Sequence, residues 1–149
     1  FEAWQKTAEV ARVLKARLIV FQCPPSFRPE EENKRNMRRF FKAIKREDFI
    51  LAWEPRGKWM PEDIRPLSEE LGLVHVVDPF KERPLTDGLY YYRLHGIGGL
   101  RYRYTGDDLK RLLEFCPYDR DVYVLFNNVY MFEDALNFKK HLRDSGFMI

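Results

Sequence analysis

Two hydrophobic periods alternate along this chain, one helical and one extended. Over Phe1–Arg17 the apolar residues Trp4, Ala8, Ala11, Val13 and Leu14 are spaced with charges between them, which predicts an amphipathic helix. The next four residues, Leu18–Phe21, form a continuous apolar run, as expected of a strand covered on both faces; Gln22-Cys23-Pro24-Pro25-Ser26-Phe27 ends it, because two prolines cannot continue a ladder. Helical spacing returns over Pro29–Arg46, with Met37, Phe40, Phe41 and Ile44 on one side and charge on the other. Phe49–Trp53 predicts a second strand, closed by the segment Glu54 to Trp59. Pro61 followed by Glu62 and Asp63 starts a helix that runs to about Leu71 and stops at Gly72, with Pro66 threatening a kink.

Leu73–Val77 predicts the third strand, ending at Asp78-Pro79, and Leu89–Leu94 the fourth, ending at His95-Gly96. A long loop, Gly96–Tyr104, leads to Thr105-Gly106-Asp107-Asp108, a capping-box start for a helix to about Phe115. Asp121–Phe126 is the fifth strand, ending at Asn127-Asn128, and a last helix spans about Phe132–Asp144. The order α-β-α-β-α-β-β-α-β-α predicts a parallel α/β sheet with right-handed crossovers. Pattern alone suits a doubly wound sheet as well as a barrel. Neither a short-period repeat nor a Ser/Gly-rich linker divides the chain.

Composition narrows the class. At 149 residues, 45% apolar and 15% aromatic, the chain is a single globular domain and not a disordered segment. Its 26 basic and 23 acidic residues give a net charge of +3, a solvated surface that admits an anionic ligand without marking nucleic-acid binding. Cys23 and Cys116 are too few for a disulfide framework and have no CxxC spacing, so the expected location is a reducing cytoplasm. With no apolar run near the length of a membrane span, no membrane partner is expected.

The chemistry concentrates where the strands stop. Each strand ends on polar residues continuous with its own alternation: Gln22, Glu54 with Arg56, Asp78, Arg93 with His95, and Asn127 with Asn128. Side chains two apart share a face, and parallel strands bring all their C-terminal ends to one side. This predicts a polar pocket in which Arg56 and Arg93 fix an anion, Glu54 or Asp78 acts as general base, and His95 acts as acid or, with a divalent ion, as ligand. Gln22, Asn127 and Asn128 would orient substrate, with Trp59 and Tyr104 as further contacts. A metal is not favoured, because two arginines oppose it. Each residue also has an ordinary reading: Asp78 as a turn former, Arg93 as the partner of a buried carboxylate, the asparagines as loop hydrogen-bonders, Trp59 as cover. His75, one position off the polar face, and His141 are expected to pack or to lie at the surface. Cys23 has no adjacent histidine to activate it.

Leu100-Arg101-Tyr102-Arg103-Tyr104 interleaves cations with aromatic rings, a pattern that could follow a nucleic-acid backbone and stack on bases, with the basic Pro29–Arg46 helix as a second track. The alternative is a strand-like lid.

Taken together, QCPPSF (Gln22–Phe27), WEPRGKW (Trp53–Trp59), Asp78, YYRLHG (Tyr91–Gly96), YRYT (Tyr102–Thr105) and VYVLFNN (Val122–Asn128) resemble the uncharacterised DUF72, or YecE-like, proteins over nearly the whole chain. The resemblance implies a TIM-like β/α barrel, present here as about five parallel strands from its C-terminal part. A missing N-terminal segment or a second chain would then be needed to complete the barrel. Gln22, Glu54, Arg56, Asp78, Arg93, His95 and Asn127 match the family's motif positions. In the loop after Glu-x-Arg this chain has Gly57 and Lys58, where the family often has His or another residue. No activity comes with the resemblance. The expected function is therefore an enzyme, a hydrolase of phosphorylated or carboxylated small molecules, with a nucleic-acid-binding protein or nuclease and a non-catalytic ligand-binding barrel as the alternatives.

Overall fold

The computed structural model describes residues 1–147. Ten elements follow in the order anticipated: α1 (Glu2–Val13), β1 (Leu18–Gln22), α2 (Glu31–Ala43), β2 (Ile50–Glu54), α3 (Pro61–Leu71), β3 (Val74–Val77), β4 (Tyr90–Leu94), α4 (Gly106–Glu114), β5 (Val122–Phe126) and α5 (Met131–Asp144). All strand pairs are parallel, in the sheet order β1-β2-β3-β4-β5. A doubly wound sheet reverses direction and places later strands on the far side of β1. The unbroken succession is that of consecutive β/α units, so the chain folds as part of a TIM-like β/α barrel.

Local chemistry explains most of the boundaries. The first two helices are shorter than their apolar spacing suggests: α1 stops before Lys15 and α2 before Glu47, both with φ near 53°. The capping box of α4 is present in full, since Thr105 accepts from the Asp108 N–H and the Asp108 side chain accepts from the Thr105 N–H. Pro66 does not break α3, which continues to Leu71. It lies on the exposed side, where water can take the carbonyl that proline leaves unbonded. One crossover has no helix. Between β3 and β4 the chain carries Pro79, Pro84 and Gly88, which oppose helix formation, and Phe80 packs there against Tyr104 and Phe115.

The chain divides into two compact units, Phe1–His75 and the part from Val76 onward. In the first, Phe21 of β1 packs among Trp4, Phe40 and Phe41, so this side of the strand faces the helices. Register pairs Phe21 with Trp53 and Trp53 with His75, which continues the packed side across β2 and β3. Gln22 and Glu54, paired with each other, therefore belong to the opposite face. In the second unit, Val77, Tyr92, Leu94 and Phe126 form a core with Leu109, Leu112 and Phe138 of the helices. Tyr91, Arg93 and His95 on one strand, and Tyr123, Leu125 and Asn127 on the next, share the other face. Stacking of Tyr91 on Tyr123, with centroids 5.9 Å apart, marks it.

His75 is fully buried in the packed side, and burial lowers its pKa to about 4. The unfolded chain binds a proton at the ordinary histidine pKa while the folded chain refuses it. Stability is thus unaffected above about pH 6.5 and is lost as pH falls from there toward 4, at up to roughly 1.4 kcal/mol per pH unit. Urea unfolding at stepped pH should show this slope in the native chain and a smaller one in His75→Gln; equal slopes would assign the acid sensitivity elsewhere.

Candidate functional site

Two polar clusters stand at the strand ends, one in each unit. In the first, Glu54 is 6% exposed, and a carboxylate so placed requires a partner. Arg56, two residues on and on the same face, donates to Oε1 from Nε at 3.2 Å and from a terminal nitrogen at 3.1 Å. The arginine is half-buried, so the pair is neither sealed nor freely solvated. Gln22 lies opposite Glu54 in register and is exposed. Trp59, anticipated as a ligand contact, is buried instead: its indole N–H donates to the Phe27 carbonyl at 2.7 Å, and its ring packs on Phe27 and Trp53. It holds the Pro24–Phe27 turn in place. Cys23 receives the Trp53 indole N–H at 3.4 Å, and burial pushes its thiol pKa up, the reverse of what a nucleophile needs.

The second cluster is built around a backbone constraint. Asp78, where β3 ends, is 7% exposed and accepts the Phe80 N–H at 3.1 Å on Oδ1 and the His95 N–H at 3.3 Å on Oδ2. One carboxyl group thus closes its own turn and fixes the chain at the end of β4. The His95 ring follows: its Nδ1 lies 3.1 Å from the Asn127 amide nitrogen, at the end of the neighbouring strand. An amide nitrogen can only donate, so in this contact Nδ1 is the accepting nitrogen. Asp78, His95 and Asn127 are therefore joined, and Arg93 shares a strand face with His95. His95 is half-buried.

Asn128 and Tyr104 were also expected to touch substrate, and the structure gives both other duties. Asn128 is 3% exposed and spends its amide hydrogens on the Tyr102 carbonyl and the Asp134 side chain. Tyr104 lies in the second unit's core, its hydroxyl accepting the Gly96 N–H at 2.9 Å, and burial raises its phenol pKa. In the arginine-tyrosine run, Tyr104 is buried, the Tyr102 hydroxyl donates to Asp108, and Arg103 sits over the Tyr130 ring. Asp134 escaped the sequence reading. An acid in the first turn of a helix is so common that nothing singled it out. Among the described residues, no group of three or more His, Cys, Asp and Glu side chains gathers as a set of metal ligands.

The family model for proteins of unknown function DUF72 matches residues 2–146. The chain belongs to the DUF72 family. Two solved structures share its fold. A DUF72 family protein from Thermotoga maritima MSB8 superposes with a TM-score of 0.73 at 23% identity, over 93% of this chain and 64% of that one. A second, from Enterococcus faecalis V583, gives 0.70 at 20% identity, over 89% and 62%. The chain thus spans less than two-thirds of the length of either. No curated protein matches it. No helix among the described residues is long and apolar enough to cross a membrane.

Two glycines explain loop choices in this DUF72 chain. Gly57 has φ near 90°, and a Cβ there would lie 2.7 Å from the Pro25 carbonyl oxygen, so the turn after Glu54-Pro55-Arg56 admits no side chain. Gly96, directly after His95, has φ near 87°, and a Cβ would approach the Gly99 oxygen to 2.1 Å. Gly96→Ala should destabilise the protein by more than about 1 kcal/mol and shift the His95 resonances in a histidine-selective NMR spectrum. Wild-type stability together with unchanged His95 signals would show that the loop does not depend on this glycine.

Proposed function

We propose that the polar strand ends serve a small anionic substrate, and that the reaction is hydrolysis of a phosphorylated or carboxylated ester. The observation that carries this reading is the Asp78–His95–Asn127 chain, in which a backbone clamp and an amide together fix the imidazole. A fixed imidazole N–H stabilises negative charge on a phosphoryl or carbonyl oxygen. Arg93, on the same face, supplies positive charge for the anion. In the hydrolysis a carboxylate takes a proton from water as the water oxygen bonds to the phosphoryl or acyl centre. The bond to the leaving oxygen then breaks, and that oxygen departs with the proton handed on by the same carboxyl group. Asp78 is the carboxyl group beside His95, while Glu54, with Arg56 on one oxygen, is its counterpart in the first unit. A reducing cytoplasm suits two cysteines that form no disulfide.

The test is a panel of phosphate monoesters, phosphodiesters and carboxylate-bearing esters offered to the full-length protein, with and without divalent ions. Turnover of at least one class is expected, falling roughly 100-fold or more in His95→Ala. Glu54→Gln read alongside gives the separate share of the first cluster. Turnover unchanged in both variants would remove the catalytic assignment. Saturable binding of the panel without turnover would replace it with a non-catalytic binding role. Single-stranded DNA bound with an affinity that falls steeply as salt rises would favour the nucleic-acid reading.

A further inference from the structure

We infer that Asp134 is the positioning residue of the His95 site: its buried carboxyl group ties together the two loops that carry His95 and Asn127. The inference rests on the proposed function for its purpose, though not for its geometry. Asp134 is 0% exposed, in the first turn of α5, far in sequence from His95 though near Asn127. Its Oδ2 accepts from the Asn128 amide nitrogen at 2.6 Å and from the Tyr104 N–H at 3.4 Å. The same Asn128 nitrogen donates to the Tyr102 carbonyl at 2.8 Å. The Tyr104 hydroxyl in turn accepts the Gly96 N–H at 2.9 Å, and a backbone bond from Val129 N–H to the Leu100 oxygen at 2.7 Å joins the same two loops again.

These contacts have a direction. His95 immediately precedes Gly96, and Asn127 immediately precedes Asn128, so both partners of the 3.1 Å imidazole–amide contact are flanked by residues that Asp134 holds, directly or through Tyr104. A ring that hydrogen-bonds one amide can turn or change tautomer when the amide moves by a fraction of an ångström. A buried carboxyl group is an expensive way to hold a loop: both bonds to Asp134 fall on Oδ2, while Oδ1 is buried with no hydrogen-bond partner. Its placement between these loops, and not against the helix core alone, is what the loops' function would explain. Asp134 itself need not touch substrate.

The measurement is the ¹⁵N spectrum of the histidine rings in the full-length protein, with the three histidines assigned by single substitutions. In the wild type, His95 should show one tautomer, with Nδ1 unprotonated and hydrogen-bonded. Asp134→Ala should give a ring averaged between tautomers, and turnover lower by about 100-fold, while Asp134→Asn, which can keep the acceptor oxygen, should largely restore both. Should Asp134→Ala fail to fold, Tyr104→Phe removes only the Gly96 acceptor and should displace the His95 signals in the same direction. His95 signals unchanged in the folded variants would overturn the inference. Because the spectrum reads His95 without any substrate, this failure is separate from failure of the hydrolase reading, which would appear as full turnover in His95→Ala.

Discussion

Alternation along parallel strands governs what this chain can be. A strand packed by helices on one side commits every second side chain to apolar contact, and the remaining positions are free to carry chemistry. Phe21, Trp53 and His75 occupy the committed positions in the first unit, and Val77, Tyr92, Leu94 and Phe126 do so in the second. The residues between them, ending in Gln22, Glu54, Asp78, His95 and Asn127, are those through which the fold can act. A slip of one residue in any strand would exchange the two sets and bury the polar ends among the helices.

The strand ends also show how buried polarity is settled in two ways. Glu54 is bonded by a side-chain cation two residues away, whereas Asp78 takes its hydrogen bonds from backbone N–H groups of its own turn and of the neighbouring strand, with the Lys81 ammonium standing off at 3.9 Å. The first arrangement leaves a charged pair that can exchange partners with a ligand. The second fixes the backbone on which His95 is carried. Two acidic residues equivalent in a sequence pattern thus differ in what they can do: Asp78 acts first as a clamp.

Much of the fold was legible in the residues. Continuous apolar runs marked the strands, Thr105 and Asp108 marked the start of α4, and Gly72 marked the end of α3, because each rests on local chemistry. The DUF72 motifs pointed to the barrel, which the strand order bears out. The site was legible only in outline. Strand-end polarity picked out Asp78, His95 and Asn127, yet period-two reasoning could not separate a side chain that faces ligand from one a few residues beyond that turns inward. Trp59, Tyr104 and Asn128 lie past the strands, where loops set direction and alternation no longer holds, and all three are buried. Asp134 was invisible for the same reason: its significance comes from hydrogen bonds to residues 30 and 6 positions away, which no local pattern encodes.

The claim at the centre of this account is that the polar end of the second unit, organised about His95, receives an anion. Titration of the full-length protein with inorganic phosphate, followed by NMR of histidine Nε2–H and arginine Nε–H groups, tests it most directly. The account predicts saturable shifts at His95 and Arg93, abolished in Asn127→Ala, with surface cations unmoved. Shifts confined to exposed lysines and arginines, or the same response at His95 with and without Asn127, would contradict it.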